Sequence, residues 1–239
     1  MRRTTVLLIH VLVVGVSLLG PSRVFAEPFL DVYGGVAETD AASVTAQRRD
    51  CPSVGFFPLL SFSCSPWTKA TRRVDFEASA TYGGRGGYWF ERAPWVGIAG
   101  DLSFFEAEGR DTRFTIVPLS FLLMLRLPLL TTENIPKGRL QPYVGVGPSV
   151  FHQNASVDFR PQGGKNVATG SWNVGVDTRV GLAWQFHRRV ALFSEYRFTH
   201  LPISTDNETD AFGVRSPATE RLDATLDTHH LLMGVSFRF

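Results

Sequence analysis

Four charged residues in two apolar segments have the types and spacing of a buried ion-pair network. Asp177 and Arg179 alternate with large apolar residues, and Glu195 and Arg197 repeat the same pattern further along the chain. Residues two apart lie on one face of a β-strand, so each segment places an acid beside an arginine. On neighbouring strands the four side chains would neutralise one another in an interior without water. We therefore predict a structural charge network here rather than a catalytic centre.

An acyl-transfer site would need a hydroxyl nucleophile, a histidine base and an acid that orients the base. The nearest set is Ser204, His200 and Glu195. On an extended strand His200 and Ser204 would be about 13 Å apart, because each residue advances the chain by about 3.3 Å. Glu195 would also point to the opposite face. A bent loop could bring the pair together, so hydrolysis stays an alternative, but we predict no catalytic residues.

Two other motifs are compatible with metal or phosphate binding only at first sight. His229 and His230 are adjacent, so on a strand they point to opposite faces and cannot hold one metal ion together. The glycine-rich run 83–87 lacks the Lys and Ser or Thr of a phosphate-binding loop, and the residues after it, 88–90, continue as strand. Glycines here would relieve crowding in a tight barrel. We predict no metal and no cofactor.

The N-terminal segment has the layout of a secretory signal peptide. Arg2 and Arg3 precede an apolar run, 6–19, and a small-residue site ending at Ala26 follows. That run is shorter than the about 20 residues of a membrane-spanning helix, so an uncleaved anchor is the weaker alternative. Cleavage after Ala26 removes three arginines and no acid, which changes the formal net charge from +2 to −1. The mature domain, 27–239, therefore gives no electrostatic reason to expect nucleic-acid binding.

The elements that position the charged residues are strands. No later apolar run has the length of a membrane helix, whereas large apolar residues alternate with small or charged ones in segments of about ten residues. In 172–186 the even positions are mostly large and apolar and the odd positions are small, polar or charged, which predicts a strand. The eight predicted strands are Phe29–Ala37, Val74–Phe90, Trp95–Phe105, Arg113–Leu127, Arg139–His152, Trp172–Phe186, Val190–His200 and Leu226–Phe239.

The connections between these strands alternate in length. Three are comparatively short (91–94, 130–138 and 187–189), three are long (38–73, 154–171 and 205–223), and 106–111 is brief. Short turns on the periplasmic side and longer loops outside are typical of an eight-stranded antiparallel up-and-down transmembrane β-barrel. Aromatic residues near the short turns would form its interfacial girdle: Trp89, Phe90, Trp95, Trp184, Phe186 and Phe239.

Charged residues fall on the strand face opposite the large apolar ones. They are Asp31, Asp75, Glu77, Asp101, Arg126, Asp177, Arg179, Glu195, Arg197 and Arg238. In a soluble β-sandwich or lipocalin-like barrel these charges would face water and the apolar set would form the core. In a membrane barrel they are enclosed, and the lumen of eight strands is only wide enough for side chains to fill it. We predict a lumen plugged by ion pairs, with a narrow gated channel as the alternative.

The first long loop contains both cysteines of the chain. Cys51 and Cys64 lie in one polar stretch of an exported protein, which favours a disulfide, with two free thiols as the alternative. No histidine lies near them to complete a zinc site. Between them the apolar run 56–60 would either contact a protein or the outer leaflet, or pack over the barrel mouth.

Four segments, 87–103, 141–148, 190–198 and 231–239, resemble the small outer-membrane barrels of the OmpA and opacity-protein type. The terminal strand, with Phe237 and Phe239, is similar to the signal by which that family is handed to the barrel assembly machinery. The resemblance covers nearly the whole mature chain apart from the long loops. It implies a fold and an outer-membrane location, but no single activity, because members differ in what they do; some modify lipid A.

The sequence thus predicts an exported, non-enzymatic barrel with a structural or surface-interaction role through its extracellular loops. Expected partners are outer-membrane lipid and lipopolysaccharide, the barrel assembly machinery through the terminal strand, and an extracellular protein or host ligand through the first loop. A gated channel and a lipid A-modifying enzyme are the alternatives.

Overall fold

The computed structural model describes residues 26–48, 65–110, 112–133, 135–157, 167–206 and 220–239. Among these residues no helix is long and apolar enough to cross a membrane. The strands are β1 (Ala26–Thr39), β2 (Ala42–Arg48), β3 (Thr68–Val74), β4 (Phe76–Glu77), β5 (Ser79–Phe90), β6 (Val96–Gly109), β7 (Thr112–Arg126), β8 (Leu140–Val157), β9 (Val167–His187), β10 (Val190–Asp206) and β11 (Glu220–Arg238). The predicted signal segment before Ala26 lies outside the described residues.

Eight of these strands close into an antiparallel barrel. Strands β5 to β11 pair in chain order, and β1 pairs with β5 on one side and with β11 on the other. Tyr33 of β1, for example, lies opposite Gly83 of β5 and Gly234 of β11. The eight-stranded antiparallel barrel predicted from the period of two is confirmed, and the predicted strands are found with ends shifted by a few residues or extended.

The strands extend further at the long-loop end than the sequence predicted. The segment 38–73, predicted as one loop, begins and ends as the hairpin of β2 and β3, in which Ala42 pairs with Val74. Strand β2 also continues the wall beyond β1, with Thr45 opposite Asp223 of β11. In β2 the apolar residues Ala42 and Val44 are the buried ones, and most of β3 is exposed, so neither strand has the outward apolar residues on which the prediction relied.

An apolar band covers the outside of the barrel wall. On β9, Trp172 is 68% exposed and Trp184 is 52% exposed, whereas Asp177 and Arg179, which alternate with them, are buried. Other strands present large apolar side chains outward as well: Leu30, Val32, Tyr82, Ile98, Phe121, Leu123, Val146, Leu192, Leu231 and Met233. A soluble barrel would turn these residues to its core, so this part of the wall is suited to a lipid bilayer.

The aromatic girdle at the short-turn end is present with one correction. Trp95, Trp184, Phe186 and Phe239 are among the exposed large apolar residues of the wall. Trp89 was predicted to join them but is buried in the lumen, where it stacks on Phe29 at 5.8 Å between ring centroids. Neighbours along a strand face opposite sides, and Phe90, also predicted for the girdle, faces outward.

The polarity of the two faces is exchanged near the long-loop end. On β10 the inward residues change from Glu195 and Arg197 to Leu201 and Ile203, while the outward residues change from apolar Leu192 to polar residues such as Ser204. We call the part of the wall beyond this change the loop-end section. It comprises β2, β3, β4 and the parts of β6, β7, β10 and β11 on the loop side of Phe105, Ile116, His200 and Asp227.

The loop-end section therefore has an apolar interior and a polar exterior. Its interior contains Phe105, Phe114, Ile116, Leu201, Ile203, Leu222 and Leu226, and Phe151 of the adjacent β8 is buried with them. Its exterior carries polar residues such as Glu108 and Arg113, which form an ion pair. That is the pattern of a barrel in water, and it shows that apolar packing, and not ion pairs alone, fills the lumen. Asp75, at the break before β4, and Glu77, in β4, were predicted to face the lumen but are exposed.

Candidate functional site

The centre of the lumen holds an ion-pair network around Arg179 of β9. Its guanidinium Nη1 lies 2.7 Å from Asp101 of β6 and 3.3 Å from Glu195 of β10, and its Nη2 lies 2.8 Å from Asp177. The side chains of all four residues are fully shielded from solvent. Removing one charge from such a buried pair leaves its partner uncompensated, so the network holds three strands in one arrangement.

Arg197 of β10 extends this network towards the loop-end section. Its Nη2 lies 2.9 Å from Asp177 at ion-pair distance, although the N–H does not point along the hydrogen-bond direction. Its Nη1 donates to Ser103 at 2.8 Å and lies 3.6 Å from Asp101. The structure therefore brings together the predicted set of Asp177, Arg179, Glu195 and Arg197 across β9 and β10.

Arg85 is the member of the network that the sequence did not reveal. It lies in the glycine-rich part of β5, where its guanidinium pairs with Asp31 at 2.7 Å and with Glu195 at 2.6 Å. The flanking glycines have no side chains, so no alternation marks which face the arginine occupies. The pairing register between β1 and β5 could have revealed Arg85, because the inward carboxylate of Asp31 on β1 requires a nearby cation.

Two tyrosines complete the coordination of the buried carboxylates. The hydroxyl of Tyr33 donates to Asp101 at 2.8 Å, and that of Tyr143 donates to Glu195 at 2.7 Å. Gly83 makes room for the first, because a Cβ at this position would be 2.7 Å from the Tyr33 hydroxyl oxygen. Gly181 makes room for the ring of Tyr143 in the same way. These glycines permit close approach of side chains and do not cradle a phosphate.

A second polar cluster closes the short-turn end of the lumen. Arg126 pairs with Glu27 at 2.7 Å and lies over the ring of Trp89, 4.3 Å from its centroid. Lys137, from the connection between β7 and β8, reaches the same carboxylate at 3.3 Å. Gln141 links this connection to the wall through a 2.8 Å bond to the Gly138 carbonyl. Glu27 was not among the predicted lumen residues because it adjoins the predicted cleavage site.

An aromatic layer with a small cavity separates the two polar clusters. The layer contains Phe29, Trp89, Tyr143 and Phe193. The cavity between them has a volume of about 10 Å³, which is room for one water molecule. No continuous wide path is left through this part of the described lumen.

On the loop side of the network lies His230, which is completely buried. Its ring meets Phe105 edge to face at 4.8 Å, and its Nε2 is 3.4 Å from the Thr199 hydroxyl. His229 points outward instead, with Nδ1 2.6 Å from the Tyr196 hydroxyl. The two histidines thus occupy opposite faces, as predicted. The described residues contain no group of three or more His, Cys, Asp or Glu side chains arranged for a metal ion.

The structure separates the three residues considered for acyl transfer. His200 pairs with Asp227 at 2.6 Å, and the Ser204 hydroxyl donates to Asp223 at 3.0 Å. Glu195 faces the lumen. The acid beside His200 is therefore one that sequence spacing did not suggest, and it lies on the outer face of the wall.

Strands β9 and β10 part at the loop end because of a proline. Their ladder ends where Val176 pairs with His200. Two residues beyond Pro202, the backbone N–H of Ser204 points to the β9 side and donates to the Asn173 side chain at 3.3 Å. Residues two apart in a strand direct their backbone N–H groups to the same side, so residue 202 also faces β9 with its backbone nitrogen. Because proline has no N–H, Pro202 cannot donate a hydrogen bond to β9. From Leu201 to Ser204 the ladder partner of β10 is β11 alone among the described residues.

Two further predictions concern assembly and the first loop. Phe237 and Phe239 lie on the outer face, 41% and 74% exposed, and the Phe239 N–H donates to the Pro28 carbonyl at 3.0 Å. Their role as an assembly signal stays a prediction. Cys51 and Cys64 lie outside the described residues, and so does the apolar run 56–60; the disulfide therefore also stays a prediction.

Comparisons with known proteins identify the fold. No family model matches the chain, and no curated protein matches it in sequence. The structure of the outer membrane protein OprG from Pseudomonas aeruginosa matches 89% of this chain and 95% of that chain, at 12% identity and a TM-score of 0.53. That likeness supports the fold predicted from the resemblance to small outer-membrane barrels.

Two other solved structures are more distant in shape. Neisserial surface protein A (NspA) is matched over 89% of this chain and 97% of that chain, at 14% identity and a TM-score of 0.45. The outer membrane protease OmpT from Escherichia coli is matched over 92% and 99%, at 6% identity and a TM-score of 0.38. Neither likeness bears on activity.

Proposed function

We propose that this chain is an outer-membrane barrel that acts as a closed scaffold and presents its loop-end section to a protein partner outside the cell. The observation that carries the proposal is the double closure of the lumen. The ion-pair network around Arg179 fills the membrane level, and the apolar core around Phe105 fills the loop-end section. A general diffusion pore would need open space at both levels.

The orientation follows from the connections. Short turns lie at the end with Trp95 and Trp184, and the long connections lie at the other end. In barrels of this kind the short turns face the periplasm, so the loop-end section would extend outside. The signal peptide predicted over 1–26 would direct export, and the strand ending in Phe237 and Phe239 would engage the barrel assembly machinery.

Open strand edges favour a protein as the partner. Strand β3 has β2 as its only ladder partner among the described residues, and β10 has a one-sided ladder from Leu201 to Ser204. Unpaired backbone donors and acceptors at an edge can accept an added strand from another chain. The exposed cations Lys69 and Arg73 on β3 would then select an acidic segment, and the first loop with its apolar run 56–60 continues from this hairpin.

Conductance in a planar bilayer tests the closed scaffold. We expect the folded full-length protein to remain silent across voltages at which an open porin, inserted in the same bilayer as a control, conducts. Steady unitary currents would contradict the proposal and favour the narrow gated channel. A mass spectrum of lipid A from cells with and without the protein tests the enzyme alternative, and we expect the two spectra to be identical.

Site-directed labelling tests the orientation. Two positions at opposite ends of the barrel can carry an introduced cysteine: Glu108 in the loop-end section, whose side chain is 38% exposed, and Arg189 in a short turn, which is exposed. We expect a membrane-impermeant maleimide to label Glu108→Cys in intact cells, and Arg189→Cys only after the outer membrane is permeabilised. The parent chain, with Cys51 and Cys64 alone, gives the background. The reverse pattern would refute the orientation.

A further inference from the structure

The short-turn mouth of the barrel contains an arginine, Arg238, whose guanidinium is incompletely hydrogen-bonded. Arg238 of β11 is only 6% exposed, and its Nε and Nη1 have no hydrogen-bond partner. The two nearby acids are already engaged, Glu27 with Arg126 and Lys137, and Asp31 with Arg85. A buried guanidinium that shares its neighbouring acids with other cations is incompletely neutralised, so an external anion would stabilise it.

A cleft connects this arginine to solvent. The cleft has a volume of about 460 Å³ and is lined by four basic side chains, Lys137, Arg188, Arg189 and Arg238, against two acidic ones, Glu27 and Glu133. Arg189 is exposed to solvent. Basic side chains thus outnumber acidic ones in the lining, and one of the acids, Glu27, is already paired with Arg126.

From this arrangement we infer that the cleft binds a phosphate-class oxyanion, held by Arg238 and Arg189 with Lys137 at its edge. Guanidinium groups present parallel N–H donors that match phosphate oxygens, and the negative charge of a phosphate monoester or diester complements the basic side chains of the lining. Seven of the ten residues that line the cleft are polar or charged, which favours an ionic ligand. Two sources share this chemistry: the headgroup of a phospholipid in the adjacent leaflet and a soluble phosphate ester of the periplasm. The assignment of these sources rests on the orientation proposed above.

The cleft is built on rigid parts of the fold. Arg238 is fixed by the ladder, since its backbone N–H donates to the Arg189 carbonyl at 2.8 Å. That bond also joins β11 to the turn between β9 and β10. On the opposite wall, Gly138 adopts a left-handed φ of 88° that returns the chain to β8, and Ile135 is buried beneath the turn. The basic groups are thus carried by three anchored elements.

Titration calorimetry with inorganic phosphate tests the site. The full-length protein is folded in a maltoside detergent, which contains no phosphate, and ionic strength is held constant with chloride. We expect saturable binding that Arg189→Gln weakens about tenfold, the loss that corresponds to one charge-assisted hydrogen bond. Arg238→Gln is expected to abolish binding, but it alters the closing strand. If Arg238→Gln does not fold, Arg189→Gln provides the test, because Arg189 is exposed.

Arg92→Gln is the matched control, because Arg92 is an exposed arginine in another short turn at the same end. Equal weakening by Arg189→Gln and Arg92→Gln would show attraction to net charge only and would overturn the site. Absence of saturable binding would also overturn it. Competition between phosphate and dihexanoyl phosphatidylglycerol, kept below its micelle concentration, would identify a lipid headgroup as the source. Phosphate binding that the lipid does not displace would identify a soluble ester.

Discussion

Nη1 of Arg85 lies 2.6 Å from Oε2 of Glu195, although the two residues are 110 positions apart in the chain. The contact spans the lumen from β5 to β10, which are not neighbours in the barrel wall. Because Glu195 also contacts Arg179, and Asp31 contacts Arg85, the pair joins strands on opposite sides of the barrel. The network thus braces the barrel across its width as well as closing it.

Loss of Arg85 should destabilise the whole barrel. We expect Arg85→Ala to lower the free energy of unfolding by about 3 to 5 kcal/mol, because Asp31 and Glu195 would then be buried without a full complement of cations. Urea unfolding in lipid vesicles, followed by tryptophan fluorescence, measures the change. Arg92→Ala, at an exposed turn, should alter stability by less than about 0.5 kcal/mol. Similar values for the two variants would refute the bracing role.

A lysine placed at three positions of β11 should report the exchange of polarity along the wall. Thr225 is exposed outward in the loop-end section, Ala224 is buried beside it, and Leu231 is 69% exposed in the apolar band. We expect Thr225→Lys to be neutral, because the position faces water. Leu231→Lys should cost about 2 to 4 kcal/mol in lipid if it lies near the bilayer midplane.

The third variant, Ala224→Lys, should cost at least as much as Leu231→Lys, since it places a charge in the apolar core. The same unfolding measurement applies to all three chains. If Thr225→Lys were as damaging as Leu231→Lys, the loop-end section would have to lie in lipid.

One ordered water molecule should occupy the cavity between the polar clusters. Asp31 Oδ1, Ser236 Oγ and Arg238 Nε are buried without partners, and all three residues line the cavity of about 10 Å³. A water there would have the two to four polar neighbours that buried waters usually have, while leaving the charge of Arg238 unneutralised. A crystal structure that resolves ordered solvent tests this. An empty cavity, or Arg238 hydrogen-bonded directly to Asp31, would contradict it.

Opening the lumen should require changes at both levels. We expect Arg179→Ala alone to remain silent in a planar bilayer, because Phe105 and Phe151 still close the loop-end section. Combination of Arg179→Ala with Phe105→Ala and Phe151→Ala should produce measurable current in those chains that fold. The characteristic shift in electrophoretic mobility between unheated and heated samples selects the folded protein. Current from Arg179→Ala alone would show that the network is the sole barrier.

Residues that alternate clearly were placed correctly by the sequence alone. Asp177 and Arg179 lie between large apolar residues of β9, and both are buried in the lumen as expected. Trp89 is close to a short turn, which favoured a place in the outer girdle, but its position in the alternation of β5 directs it into the lumen. Arg85 was missed because the glycines around it remove the contrast between the faces. The alternation of residues along a strand identifies the inward face only where both faces carry side chains.

The sequence by itself determined the eight strands of the barrel and the alternation of their two faces, because a period of two is a local property of each segment. The pairing of charges was decided by the tertiary structure, since closure of the wall sets which residues share a level of the lumen. The same holds for the exchange of polarity at the loop end. Local alternation is identical whether the apolar side faces lipid or a core, and only the height of a residue in the closed barrel distinguishes the two.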